Sequence, residues 1–258
     1  MRAPNSSWRK TVQIKLLGVR LECTDINGAV KFIATLVATH KQHLVVTANS
    51  LMVRDSWTDA GLKKALNCAS IIVTDGIGLV WAARLLKRKR LQRIPGIELM
   101  AALCEEAERH NWRIFVFGGR PRVNEKTVQI LTQKYPLMKI VGYKHGYMEQ
   151  VSKASLIEEI RLSKPDIVFV GLGGGWQEKW FLDNRKNLPS AVFIGIGGSL
   201  DVLAGRLKRA PVIIRNIGLE WLWRLLIEPT RLVRQFGLAM FAARVLDEFM
   251  LTVRVQRC

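Results

Sequence analysis

Residues 166–175 read Asp-Ile-Val-Phe-Val-Gly-Leu-Gly-Gly-Gly, a short apolar run that ends in a glycine-rich turn. Such a run predicts a buried strand over Asp166–Val170, and the next segment, Gln177–Asn184, has the composition of a helix. The same order of strand, turn and helix recurs from Arg113 and from Ala191. Strands that alternate with helices predict an α/β fold whose mainly parallel sheet is covered by helices on both faces.

The first hundred residues follow the same scheme less sharply. Apolar, β-branched runs predict buried strands, and apolar residues at helical spacing predict the helices between them. The predicted elements are a strand or hairpin over Val12–Glu22, a helix over about Ile26–Lys41, a strand over His43–Thr47, one helix through Arg54 to Leu66, and a strand over Ala69–Val73.

The composition changes at about residue 205. Residues 205–258 contain ten Lys or Arg and four Asp or Glu, and glycine becomes rare. We therefore predict two parts, a sheet-containing core over residues 1–204 and a basic, amphipathic helical appendage over residues 205–258.

The net charge of +19 needs an explanation, because like charges repel each other in a folded chain, and the usual explanation is an anionic partner. Nucleic acid, an anionic membrane and a polyanionic substrate are the three classes to consider. The sequence contains no motif that reads RNA or DNA, so we expect no nucleic-acid partner. It also contains no run of 18 uncharged apolar residues, so we expect a protein that lies on a membrane and does not span it.

The cysteines indicate the compartment. Their spacing matches neither a zinc site nor a redox pair, which is typical of reduced thiols in a cytoplasmic protein. The four cysteines are Cys23, Cys68, Cys104 and Cys258.

Polar or glycine-rich sequence follows five of the predicted strands. Ligands of parallel sheets bind at the carboxyl ends of strands, and glycine allows a phosphate to approach the backbone closely. No dinucleotide fingerprint or P-loop occurs, and each turn alone could be structural, but together they favour a nucleotide-type site. The five segments are Thr47-Ala48-Asn49, Thr74-Asp75-Gly76, Gly118-Gly119, Gly171–Gly175 and Gly197-Gly198-Ser199.

Asp75 is the candidate catalytic carboxylate, since it stands at a strand end between small residues. A carboxylate that is partly desolvated beside a sugar hydroxyl is a usable general base. The alternative is that Asp75 caps the following helix, which Thr-Asp-Gly also favours.

Arginines are the candidate partners of a diphosphate. The sequence has no Asp-x-Asp, the spacing with which two carboxylates hold a divalent metal on a nucleotide diphosphate, so we expect no metal and no other cofactor. Arg206 and Arg209 follow a glycine-rich turn and could neutralise the leaving group, although a solvated turn explains them equally well.

At this point the motifs resemble those of the WecG/TagA/CpsF glycosyltransferase family over about residues 12–240. The strings that carry the resemblance occur in order along the chain. They are Thr47-Ala48-Asn49, Thr74–Gly78, Arg93–Met100, Val116–Gly119, Gln177–Trp180, Gly197–Asp201, Lys208–Pro211, Gly218–Leu225 and Glu228-Pro229.

The resemblance implies a Rossmann-like fold and inverting transfer of a sugar, in the first place N-acetylmannosamine, from a UDP-sugar. With the missing Asp-x-Asp, we expect this transfer to be metal-independent. The implied acceptor is a GlcNAc-type sugar on undecaprenyl diphosphate, in cell-surface polysaccharide or teichoic acid synthesis. It also implies a peripheral location on the inner face of a bacterial plasma membrane. By motif, Asp75 matches the catalytic base, while Thr47, Asn49, Arg93 and Gln177 match other active-site residues. The basic positions of the family's membrane-docking appendage correspond to Arg224, Arg231 and Arg234.

Two departures and several alternatives accompany this hypothesis. Residues 174–178 read Gly-Gly-Trp-Gln-Glu where the family often has Ala-Pro-Lys-Gln-Glu, and Ala48 replaces a common proline. The donor could instead be a UDP-uronic acid or UDP-glucose, used for exopolysaccharide. An NAD-type oxidoreductase and a nucleic-acid-binding protein are the other classes. The sequence leaves the oligomeric state open, including a homo-oligomer.

Overall fold

The computed structural model of the chain describes residues 12–147, 153–228 and 232–255. Its centre is a parallel six-stranded sheet with the strand order β4-β3-β8-β7-β5-β6, which confirms the predicted α/β class. A separate antiparallel hairpin precedes the sheet. The strands are β1 (Val12–Leu16) and β2 (Val19–Cys23) in the hairpin, then β3 (His43–Ala48), β4 (Ile71–Thr74), β5 (Arg113–Gly118), β6 (Lys139–Lys144), β7 (Ile167–Gly171) and β8 (Val192–Gly195).

Helices cover both faces of the sheet, as predicted. One face carries α2 (Ser50–Asp55), α3 (Ala60–Cys68), α4 (Ile77–Lys87), α7 (Lys153–Ser163), α8 (Trp176–Asn184) and part of α12 (Leu232–Val255). The other face carries α1 (Ile26–Val37), α5 (Gly96–His110), α6 (Pro121–Lys134) and α9 (Ser199–Leu203).

The strands alternate between two apolar cores, because successive side chains of a strand point to opposite faces. In β5, Phe115 and Phe117 belong to the first core, while Ile114 and Val116 belong to the second. All four side chains are fully buried. A sheet covered in this way has strands that are apolar throughout, as the sequence showed.

Two differences from the predicted elements concern a helix and a strand. The single helix predicted through residues 54–66 is wrong, because the chain turns after α2 and Asp59 caps a new helix, accepting a 2.9 Å hydrogen bond from the Leu62 amide. Strand β6 was not predicted. It lies at the sheet edge and none of its residues is fully buried, so its sequence lacks a continuous apolar run.

The strand order creates a crevice between β3 and β8. These neighbouring strands send their next helices, α2 and α9, to opposite faces of the sheet. In open α/β sheets, the point at which the helices diverge is where ligands bind.

Beyond residue 205 the described chain is helical, with α10 (Val212–Asn216), α11 (Glu220–Ile227) and α12. Phe241 and Val245 of α12 are buried in the same core as α2 and α4, and Phe241 stacks on Trp57 with a centroid distance of 6.4 Å. Helix α12 therefore packs on the sheet-containing part. The division of the chain into two parts at residue 204 stays a prediction.

Candidate active site

A cleft of about 1210 Å³ opens at the carboxyl ends of β3, β4, β7 and β8. Its walls come from the crevice and from α4, α5, α8, α11 and α12. Pockets for single small molecules commonly span about 300–1,000 Å³, so this cleft is larger than most single-ligand pockets. Of the residues predicted from sequence, it brings together Thr47, Asn49, Asp75, Arg93, Gln177, Gly197, Gly198 and Arg224.

Asp75 lies at the base of the cleft, directly after β4. Its amide donates a 2.8 Å hydrogen bond to the Ala48 carbonyl, and its own carbonyl accepts a 2.8 Å bond from Nε of Arg93. The N-cap of α4 is Gly76, and no side chain caps this helix. The capping alternative for Asp75 is therefore wrong, and its carboxyl belongs to the cleft.

The surroundings of Asp75 tune its acidity. The residue keeps partial exposure to the cleft, but the protein around its carboxyl removes most of its hydration. This desolvation raises the pKa of Asp75 to about 6, against the opposing charges of Arg93 and Arg224. A carboxylate with a pKa near 6 is ionised at neutral pH and is a stronger base than an ordinary aspartate.

Arg93, Glu220 and Arg224 form a linked group beside Asp75. The Glu220 carboxylate pairs with Arg93 in a short contact and with Arg224 at 3.5 Å. Burial alone would raise the pKa of Glu220, but the hydrogen bond from Arg93 and the charges of both arginines hold it below its ordinary value. Because Arg93 also holds the Asp75 carbonyl, this group joins α11 to the loop that carries the candidate base.

Gln177 organises two glycine turns. Its Oε1 accepts hydrogen bonds from the amides of Gly197 at 3.0 Å and Gly173 at 3.4 Å. Gln177 is almost fully buried, and its amide packs so closely on Gly195 that no side chain would fit there. In this geometry Gln177 fixes the shape of the cleft floor.

Glu178 lies beneath Gln177 and has no exposed surface. Its Oε1 accepts a 2.8 Å bond from Nε2 of Gln177, and its buried Oε2 has no hydrogen-bond partner among the described residues. Desolvation raises the pKa of Glu178 to about 7. Glu178 therefore fixes which way the Gln177 amide points.

The side chains of Thr47 and Asn49 each form a hydrogen bond to the backbone of another residue. Oγ1 of Thr47 donates a 2.8 Å bond to the Gly195 carbonyl across the β3–β8 crevice. Oδ1 of Asn49 caps α2 by accepting a 3.0 Å bond from the Met52 amide. Both side chains are therefore held rigidly at the cleft wall.

Gly118 and Gly119 do not line the cleft. Gly118 has φ of +122°, and a Cβ there would collide with the backbone of Gly171 on the neighbouring strand. The Gly119 amide donates a 3.0 Å bond to the Gly171 carbonyl. In the structure these glycines allow β5 and β7 to approach each other.

The predicted cations of the C-terminal region are divided. Arg224 lines the cleft, whereas Arg206 and Arg209 lie outside it. Arg206 pairs with Asp201 at 2.6 Å, and Arg209 pairs with Glu98 in a short contact.

The remaining two predicted cations cannot be placed. Arg231 lies outside the described residues, and so does the side chain of Arg234, whose backbone belongs to α12. In the described ranges, no three His, Cys, Asp or Glu side chains form a group that could hold a metal ion.

Helices α4, α5 and α8 begin at the cleft, and none of them has a side-chain cap. The first amides of a helix have no intrahelical partner and carry a partial positive charge. Gly78 in the first turn of α4 packs so closely on the Ser50 hydroxyl that a Cβ would collide with it. The cleft therefore offers anion-binding amides in addition to its arginines.

Sequence reasoning missed Glu220, the role of Glu178 and the wall made by α12. In the segment Gly218–Leu225, Glu220 and Arg224 are the charged residues and the others are glycine or apolar. A single acid in such a segment is the signal that could have identified Glu220. The α12 wall gave a weaker signal, since its apolar residues also fit a helix that faces a membrane.

Known proteins resemble the chain over almost all of its length. The model of the "Glycosyl transferase WecG/TagA/CpsF family" matches residues 14–254. The N-acetylglucosaminyldiphosphoundecaprenol N-acetyl-beta-D-mannosaminyltransferase of Staphylococcus aureus strain NCTC 8325 / PS 47 is 35% identical over 237 residues, which are 91% of this chain and 92% of that protein. The enzyme of the same name from strain MW2 matches with the same identity and coverage.

Proposed function

Because the chain belongs to the WecG/TagA/CpsF glycosyltransferase family, we propose that it transfers N-acetylmannosamine from a UDP-sugar to GlcNAc on a polyprenyl diphosphate. The observation that carries the proposal is the position of Asp75, a desolvated carboxylate beside two arginines at the base of a large cleft. The names of the Staphylococcus aureus relatives support this choice of sugar and acceptor.

In the proposed reaction, Asp75 removes the proton from the attacking hydroxyl of the acceptor GlcNAc. The hydroxyl oxygen forms a bond to the anomeric carbon of the donor while the bond from that carbon to the UDP oxygen breaks. This single displacement inverts the anomeric centre and leaves the proton on Asp75. A pKa near 6 lets Asp75 accept this proton and release it to water at neutral pH.

The leaving diphosphate gains negative charge as the bond breaks. Arg93 and Arg224 and the uncapped starts of α4, α5 and α8 line the same cleft and would stabilise that charge. Glu220 pairs with both arginines, so their guanidinium groups are held in place beside Asp75 and keep a net positive charge. We therefore propose that the reaction uses no metal ion.

A donor panel tests the proposed function. We expect product from UDP-N-acetylmannosamine with a short-chain polyprenyl-diphosphate-GlcNAc acceptor, with an inverted linkage by NMR and an unchanged rate in EDTA. A higher rate with a UDP-uronic acid or UDP-glucose would correct the donor. Lack of transfer from every UDP-sugar in the panel would reject the proposed function, and a rate abolished by EDTA would reject the metal-free mechanism.

We also propose that the protein docks on the inner face of the plasma membrane. In the described part of the chain, no helix has both the length and the apolar character needed to cross a bilayer. Support comes from exposed apolar residues on α10 and α11, such as Ile213 and Leu226, which are 76% and 70% exposed. Exposed basic residues at the end of α4 add attraction to anionic lipid, at about 1 kcal/mol each near the surface; they are Arg84, Lys87, Arg88, Lys89 and Arg90.

Vesicle flotation tests this docking. We expect the protein to bind vesicles that contain anionic lipid and the variant Ile213→Glu to bind at least about tenfold more weakly, because a carboxylate would have to enter the lipid interface. The matched control is Leu137→Glu, an equally exposed leucine outside the cleft and outside the C-terminal helices. Equal flotation of the two variants would contradict this docking surface.

A further inference from the structure

The cleft continues beyond Asp75 into an apolar arm between α4 and α12. Its sides are Ile77, Trp81 and Leu85 on α4 and Leu238, Ala242 and Leu246 on α12. Each set has the spacing i, i+4, i+8, which places its members in one stripe along the helix. At 1.5 Å per residue, eight residues make each stripe about 12 Å long.

The arm differs chemically from the rest of the cleft. The six side chains that form it are uncharged, whereas the rest of the cleft lining includes the charged residues Asp55, Asp75, Arg93, Glu220 and Arg224. Buried Ala82 and Val245 also line the cleft and come from the same two helices.

The arm is open along its rim. Trp81 is 59% exposed and Leu246 is 58% exposed. Beyond them, Lys87 and Glu248 join the two helices through an ion pair of 3.9 Å. A soluble protein exposes contiguous apolar surface of this kind where an apolar partner binds.

The position of the arm identifies the partner. Ile77 follows the Asp75-Gly76 dipeptide, so the arm begins next to the base that must meet the acceptor hydroxyl. In the proposed function the acceptor sugar is joined through a diphosphate to a polyprenyl chain, and that chain must leave the cleft. An apolar chain leaves at the lowest cost along an uncharged, apolar wall.

We infer that the apolar arm binds the first isoprenoid units of the acceptor's polyprenyl chain. This inference rests on the proposed function, since it names the lipid part of the same acceptor. It assigns α12 a direct role in substrate binding, as one side of a channel whose other side is α4. The remainder of the chain passes over the exposed rim towards the membrane.

Acceptors of graded chain length provide the test. With GlcNAc diphosphates that carry a methyl group or one, three or more isoprenoid units, kcat/KM of the wild type should rise with chain length and then level off. In Ala242→Phe the new ring fills the arm, so the increase in kcat/KM from the shortest to the longest acceptor should be smaller by about tenfold or more. A tenfold loss corresponds to the burial of about two methylene groups. The rise is measured within each protein, relative to its own rate with the methyl acceptor.

Ala243→Phe is the matched control, because Ala243 is exposed on the same helix and does not line the cleft. It should keep the wild-type dependence on chain length. Equal chain-length dependence in both variants would overturn the inference. A change of oligomeric state in Ala242→Phe alone, measured by light scattering, would also overturn it, because the arm would then be a contact between copies.

A photoreactive farnesyl diphosphate separates this inference from the proposed function. If the wild type transfers no sugar to any acceptor, the proposed function fails, but the probe still reports on the arm. Labelling of α4 or α12 near Trp81 and Leu246, reduced in Ala242→Phe, would support a prenyl-binding arm. Labelling confined to other parts of the protein would overturn it.

Discussion

Asp75→Asn should lower kcat of sugar transfer by about 10²- to 10⁴-fold, the usual contribution of a positioned general base. Asparagine is nearly isosteric, so the backbone bonds of this residue to Ala48 and Arg93 should remain. What is lost is the group that accepts the proton. Because the amide still occupies the same volume, KM for the UDP-sugar should change by only a few-fold.

The matched control is Asp183→Asn, which removes an exposed carboxylate of α8 that does not line the cleft. It should transfer sugar at the wild-type rate. If Asp75→Asn retained more than about a tenth of wild-type kcat while Asp183→Asn behaved as expected, Asp75 could not be the base.

Asp75→Asn should also stabilise the fold at neutral pH. Folding raises the pKa of Asp75 from 3.8 to about 6, so the folded protein holds this proton more tightly than the unfolded chain. The contribution of this bound proton to the free energy of unfolding is fully present below pH 3.8 and is lost as the pH rises through about 6. Two pKa units correspond to about 3 kcal/mol, an upper value for the stability that Asp75→Asn recovers at pH 8. Melting curves of both proteins at pH 8 and pH 4 should show the gain in Tm only at pH 8.

Arg93→Lys is expected to have the second-largest effect, lowering kcat/KM by about 10²-fold. Lysine keeps the charge but lacks the planar group that donates from Nε to the Asp75 carbonyl while a second nitrogen pairs with Glu220. Loss of these contacts should let the Asp75 loop and Arg224 shift, and displacements near 1 Å can cost about 10²-fold in rate.

Arg109→Lys controls for the loss of a guanidinium group, since Arg109 forms an exposed pair with Glu106 at 2.7 Å far from the cleft. It should leave both activity and Tm unchanged. Arg93→Lys should also reduce the free energy of unfolding by about 1–3 kcal/mol, because Glu220 loses part of its pairing. Activity within threefold of wild type in Arg93→Lys would contradict the role given to this linked group.

Many residues of this site could be predicted from the sequence, because the ends of buried strands can be recognised there. A short apolar run that ends in Thr74-Asp75-Gly76 places Asp75 at the carboxyl edge of a parallel sheet, where the structure has it. By the same logic Thr47 and Gly197 were expected at this edge, and both line the cleft. It could not separate two roles for Gly118, because a glycine that allows two strands to approach closely has the same local sequence pattern as one that faces a ligand.

The rest depends on contacts between distant parts of the chain. Arg93 and Glu220 are 127 residues apart, and nothing in either local sequence states that they pair. The apolar residues of α12 fit both a membrane surface and a protein core by composition. The structure buries Phe241 and Val245 and leaves Leu246 on the rim of the cleft. Packing of this kind is decided by tertiary structure, not by periodicity.

The most direct test of the account is the pH dependence of kcat/KM for transfer from UDP-N-acetylmannosamine to a polyprenyl-diphosphate-GlcNAc acceptor. We predict that kcat/KM falls tenfold per pH unit below about pH 6, as Asp75 takes up its proton, and that this limb is absent from the residual activity of Asp75→Asn. A rate that stays constant down to pH 5, or a limb that persists in Asp75→Asn, would show that another group is the base.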